Sequence, residues 1–116
     1  MAVNGRNKGA AAEREVAAIL KKWTGLDVRR NLEQVRSGGY DLEGIDFIAL
    51  EVKRCETLAL PAWWRQTLAQ TKPEQIPVLV YRQNRKQWTW VVGTDKVVMN
   101  NEAFRLWLMD MLANRE

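Results

Sequence analysis

Residues 36–54 read RSGGYDLEGIDFIALEVKR, and the way its early acids relate to Glu51 decides the fold. Residues 47–54 form the clearest strand of the chain, because the run is almost continuously apolar, as in a strand buried on both faces. Side chains alternate along a strand, so Glu51 and Lys53 share one face while Leu50 and Val52 take the other. A carboxylate two positions from a lysine at such a strand end suits a metal-dependent phosphodiesterase. The carboxylate helps hold a divalent ion, and the ammonium steadies the attacked phosphate or the nucleophilic water. A solvated ion pair at a strand end has the same signature, and Glu-x-Lys alone favours that simpler reading.

A metal site needs a second carboxylate. Asp46 lies five residues from Glu51, an odd number, so on one strand the two would face opposite sides roughly 16 Å apart. Asp41 does better. A hairpin folded about Asp46 sets Asp41 beside Glu51 and Leu42 beside Leu50, with Gly44 and Asp46 in the connection. Glu43 and Asp46 then read as turn residues. Glu13 is a third acid out of place, since it shares a helical face with Val16, Ala17 and Leu20 and so points towards the sheet. An acid near a helix N-terminus is also favoured by the helix dipole.

Composition limits the chemistry further. The 116 residues suit one domain, 1–116, with 47% hydrophobic and 28% charged residues as in an ordinary globular protein. No histidine is present, which excludes Ser-His-Asp triads, His-based zinc sites and His general bases. Cys55 is the single cysteine, so neither an intrachain disulfide nor a Cys cluster for a metal can form. Carboxylates and lysine must carry any catalysis, and their oxygens suit Mg²⁺ or Mn²⁺. The net charge of +4 and a pI near 9.5 favour a polyanionic partner. A polar start without an apolar leader, and no run of membrane-spanning length, give the expectation of a cytoplasmic protein that uses no membrane.

The rest of the chain reads as α-β-β-β-α-β-β-α, a mixed sheet flanked by helices. Residues 1–8 are polar and read as irregular, and a helix follows from Gly9 to Trp23 with Gly25 as its stop. Leu26 to Asn31 reads as a short strand, and Ser37-Gly38-Gly39 as a loop. Pro61 opens a helix running to about Thr71. Pro77–Tyr81 and Gln87–Val92 read as strands around an Asn84-Arg85-Lys86 turn. Asn100 or Asn101 caps a last helix in which Phe104, Trp107, Leu108, Met111 and Leu112 share a face. Arg29, Arg30, Arg54, Arg65, Arg82, Arg85 and Lys86 are available to follow DNA backbones, although each is also an ordinary surface charge. Trp63 and Trp64 point about 100° apart on a helix, so one belongs to the core and the other is available to a partner.

Lys8-Gly-Ala-Ala-Ala-Glu13-Arg14-Glu15, Arg36-Ser37, Asp41-Leu42, Ile48-Ala-Leu-Glu51-Val52-Lys53 and Pro77-Val-Leu-Val80 occur in that order. Together they resemble the archaeal-type Holliday-junction resolvases of the PD-(D/E)XK nuclease superfamily, over roughly residues 6–92. The resemblance implies a restriction-endonuclease-like fold and Mg²⁺-dependent cleavage of phosphodiester bonds in DNA, with Mn²⁺ able to substitute. Asp41 and Glu51 are read as coordinating one or two Mg²⁺ ions, with Lys53 orienting the water or neutralising the phosphate. The resemblance gives Glu13 a role as third acid of the site, holding an outer-shell or second metal water. It also gives Arg14 and Arg36 roles near the scissile phosphate, and Ser37, Arg30 and Arg54 are read beside them as phosphate- or DNA-binding residues. Gln66 and Gln70 sit on the helix where some superfamily members place a supporting glutamine, and they read equally well as exposed helix polars. Tyr40 stands where the family pattern has proline, the Asp41–Glu51 hairpin is shorter, and Gly38-Gly39 replaces a serine-containing loop. The first reading is a structure-selective Holliday-junction resolvase, and those loop differences leave a repair, nicking or restriction-type nuclease of the same fold, acting on duplex or flap DNA, as the alternative. A non-catalytic basic DNA-binding module is the alternative outside the nucleases. The RSGGYD and LPAWWRQ segments look more like small phage-encoded relatives, so a phage or prophage source is expected. Two symmetric incisions in a junction call for a homodimer, with the WWRQ helix or the Trp88–Trp90 hairpin as candidate interface.

Overall fold

The computed structural model describes residues 5–32 and 40–115, with side chains from residue 9 onward. Helix α1 (Gly5–Thr24) is followed by β1 (Arg29–Arg30), β2 (Leu42–Glu43), β3 (Ile48–Arg54), α2 (Leu60–Gln70), β4 (Ile76–Arg82), β5 (Thr89–Val92), β6 (Val97–Met99) and α3 (Asn101–Ala113). The strands form one six-stranded sheet in the order β1-β2-β3-β4-β5-β6. All neighbours are antiparallel except β3 and β4, which run parallel with Glu51 opposite Leu79 and Lys53 opposite Tyr81. A parallel pair needs a crossover, and α2 supplies it.

Alternation along β3 builds two different layers. Leu50 and Val52 join Val78, Val80, Trp90 and Val92 beneath Val16 and Leu20 of α1 and Phe104 and Leu108 of α3. Trp90 is fully buried and stacks on Phe104 with ring centroids 3.9 Å apart. Truncating such a residue to alanine typically costs about 3–5 kcal/mol. On the opposite face Trp64 of α2 packs on Leu79 and Val91, and Trp63 leans on Tyr81. Helix α1 stops at Gly25, whose φ of +77° brings its N–H to the Lys21 carbonyl. Asn100 caps α3 by accepting the Ala103 N–H at 2.8 Å.

Several sequence expectations change. Helix α1 starts at Gly5, so residues 5–8 are helical rather than irregular. The first strand shrinks to Arg29–Arg30, since Leu26 and Asp27 face solvent. Glu43 is not a turn residue. It sits on β2 opposite Arg29, and their side chains pair at 3.2 Å. Strand β6 was not expected at all. Trp88 and Trp90 are buried, at 4% and 0% exposure, which removes the Trp88–Trp90 hairpin as a candidate interface.

Candidate active site

The β2–β3 hairpin places the first two acids. Leu42 pairs with Leu50, the register that the spacing about Asp46 predicts. The turn is tight. Gly44 has φ +121°, and a Cβ there would lie 2.5 Å from the Asp27 carbonyl oxygen, so the connection needs glycine. Asp41 donates its own N–H to the Leu50 carbonyl at 2.8 Å. Its Oδ2 then accepts the Val52 N–H at 2.7 Å, serving the edge of β3 where β2 has ended. That bond fixes the carboxylate beside Glu51. Asp46 is exposed and takes no place in the cleft.

Glu51 is only 2% exposed and Asp41 6%. Lys53 Nζ reaches Glu51 Oε2 at 3.3 Å, while Glu51 Oε1 is buried with no hydrogen-bond partner. Burial pushes the Asp41 carboxyl up to about 8, and the charges of Glu51 and then Glu13 add to the rise against the Val52 N–H and Lys53. Burial also raises Glu51, opposed mainly by Lys53. Two neighbouring carboxyls that both resist ionisation lack positive charge.

Glu13 enters the same cleft from α1. The cleft, about 430 Å³, is lined by Glu13, Asp41, Glu51, Lys53, Arg54 and Gln66, with Cys55 and Gly9 also at its wall. Glu13 Oε1 accepts from Arg30 Nε at 2.9 Å, both side chains being largely shielded from solvent. Two residues on, and so on another side of the helix, Glu15 does structural work instead, accepting from Trp88 Nε1 at 2.9 Å and Arg82 at 3.2 Å. Arg54 is committed to Asn84 Oδ1 at 2.7 Å. Arg14 is exposed on α1. Arg36 and Ser37 lie outside the described residues. Gln66 reaches the cleft and Gln70 does not line it. Sequence reasoning missed Cys55 as a cleft residue, although 51, 53 and 55 share a parity. It also missed the Arg30–Glu13 pair, for which no local signal exists.

The donor set fits a hard divalent cation: two buried carboxylates, one with an unpartnered oxygen, and a third acid nearby. Among the described residues no three His, Cys, Asp or Glu side chains converge tightly enough to cage an ion alone. Such a site leaves coordination positions for water and phosphate, as Mg²⁺ sites commonly do. No described helix is long and apolar enough to cross a membrane.

Comparison with solved structures finds Hjc, a Holliday junction resolvase from the archaeal hyperthermophile Archaeoglobus fulgidus. It shares 19% identity at a TM-score of 0.55, over 85% of this chain and 88% of that one. At that identity the likeness establishes the fold, a restriction-endonuclease-like mixed sheet flanked by helices. Comparison with curated proteins gave no match. The family model described as phage putative PDDEXK endonuclease matches residues 4–109, nearly the whole chain, and the chain belongs to that family.

Proposed function

We propose that the protein is a Mg²⁺-dependent DNA endonuclease that cuts four-way junctions as a homodimer. The observation that carries this reading is the buried, unpartnered Oε1 of Glu51 beside Asp41, with Lys53 at 3.3 Å from the other oxygen. Leaving a carboxylate oxygen buried without a partner costs stability, and a ligand that meets it explains why it is kept.

Asp41 and Glu51 would hold the ion, and Mn²⁺ would substitute for Mg²⁺. A bound divalent ion supplies a water of lowered pKa and positive charge against the phosphate. Lys53 orients that water or neutralises the phosphate from the Glu51 side of the cleft. Glu13 would hold a water beside the ion. Arg14, with Arg36 and Ser37, holds phosphate oxygens, and guanidinium groups suit that task. Arg54 and Arg30 add positive charge at the walls, although each is already engaged by a neighbour. Exposed Arg65, Arg85 and Lys86 follow the DNA backbone farther out. A non-catalytic basic module would pair its acids with arginines. Glu13 does so, but Asp41 and Glu51 instead meet an amide, a lysine and each other.

One chain carries one such cleft and cuts one strand at a time, so paired incisions in a junction call for two chains related by a two-fold axis. The half-buried Trp63 on α2 is available to that contact. The reaction belongs to the cytoplasm of a bacterial or phage-infected cell. The test is cleavage of labelled four-way junction, flap and linear duplex DNA in Mg²⁺, with EDTA controls and scattering on the same sample. Paired symmetric cuts in the junction by a dimer are expected. Equal cutting of linear duplex by a monomer would move the substrate to ordinary, nicked or flapped DNA, and no cutting of any substrate would overturn the nuclease reading.

A further inference from the structure

Each acid of the cleft has a different positive counterpart. Asp41 takes the Val52 N–H, Glu51 takes Lys53, and Glu13 takes Arg30. Arg30 differs from Lys53 in what it can give up. A lysine on a strand end is a mobile point charge, whereas a guanidinium paired at 2.9 Å between a strand and a helix is held in place at both ends. Arg30 stands on β1 opposite Leu42, the residue next to Asp41, so β1, β2 and α1 meet at this pair. The Glu13 side chain is 12% exposed and that of Arg30 29%, which keeps the attraction from being fully screened by water.

From this geometry we infer that Arg30 is a positioning residue that reserves Glu13. It holds the Glu13 carboxylate as a counter-ion and so keeps it from becoming a direct ligand, limiting the DNA-free cleft to one divalent cation between Asp41 and Glu51. The inference rests on the metal-dependent reading above. Its physical basis is simple competition. A second cation at Glu13 must displace a guanidinium already bonded to that carboxylate, or bind against its positive charge. Arg30 therefore sets metal number, beyond the positive charge it adds at the cleft wall.

Mn²⁺ titration of the DNA-free protein, with free ion counted by electron paramagnetic resonance, tests this without any activity assay. Wild type is expected to bind one Mn²⁺ per chain. Arg30→Gln should bind a second, since the guanidinium that occupies the Glu13 carboxylate is gone. Arg30→Lys keeps the charge but not the fixed guanidinium, so it should hold Glu13 less firmly and bind the second ion more weakly than Arg30→Gln does. In a Glu13→Gln background, Arg30→Gln should change nothing, which separates competition at Glu13 from a general loss of positive charge. Thermal melts in EDTA show whether each variant folds, and the Glu13→Gln pair keeps the comparison usable if Arg30→Gln alone is weakened. An unchanged number of ions in folded Arg30→Gln would overturn the role of Arg30 while leaving the metal reading intact. Absence of Mn²⁺ binding in wild type would overturn both.

Discussion

Replacing Asp41 by Asn separates two tasks of one side chain. Asn keeps an oxygen that can accept the Val52 N–H, now made at 2.7 Å, but it carries no charge against Glu51. In the metal-free protein the Asp41 carboxyl is pushed from an ordinary 3.8 up to about 8, chiefly by burial. Between those values the folded chain binds a proton that the unfolded chain has released. The stabilisation from Asp41 is therefore full below about pH 4, declines as pH rises, and levels off above about 8. The slope is at most about 1.4 kcal/mol per pH unit, which sets a ceiling of about 4 kcal/mol between pH 5 and pH 8. Relaxation of the surroundings brings the expected figure nearer to ~2 kcal/mol. Urea unfolding in EDTA at pH 5, 6.5 and 8 measures this. Asp41→Asn should lie close to wild type at pH 5 and be more stable by about 2 kcal/mol at pH 8, because titrations away from the coupled Asp41–Glu51 pair are common to both proteins. Mn²⁺ at pH 8 should reverse the order, since only wild type gains the binding energy. A stability difference that does not change with pH would refute the reasoning.

Lys53→Ala should lower single-turnover cleavage by about 10²-fold or more while the fold survives, because Lys53 serves the cleft rather than the core. Melts run beside the assay check the second half. Glu15→Ala leaves the N–H of buried Trp88 without its acceptor and should cost roughly 1–3 kcal/mol in urea unfolding, with Mn²⁺ affinity unchanged. Gly44→Ala forces a side chain onto the Asp27 carbonyl at a φ of +121°, and should cost about 2 kcal/mol or more. That loss should come with weakened Mn²⁺ binding, because the turn sets where Asp41 sits.

The parts legible in the sequence were those governed by local periodicity. Parity along β3 put Glu51 and Lys53 on one face, and the same parity across a hairpin selected Asp41 over Asp46 as the acid beside them. The apolar stripe Val16–Leu20 placed Glu13 towards the sheet. Strand β6 escaped because three residues after a turn carry no alternation long enough to read. Its Val97 and Val98 are exposed as well, so no buried face marks it. Trp88 and Trp90 could have been placed in the core, since Trp-Thr-Trp alternates as a half-buried strand does. The Arg30–Glu13 pair spans 17 residues and exists only because α1 packs beside β1. Nothing local announces it. The same holds for Arg54, whose guanidinium looks free for DNA in the sequence and is held by Asn84 in the fold.

The most direct measurement is Mg²⁺-dependent cleavage of a four-way junction by wild type, Asp41→Asn, Glu51→Gln and Asp46→Asn, with junction binding measured on the same preparations. Removing one ligand carboxylate leaves the basic surface in place, so binding and chemistry should separate. Asp41→Asn and Glu51→Gln are expected to bind the junction and not cut it, whereas Asp46→Asn, altered at an exposed turn residue, should cut as wild type does. Full cleavage by Asp41→Asn or Glu51→Gln, or an inactive Asp46→Asn, would contradict the assignment of the site.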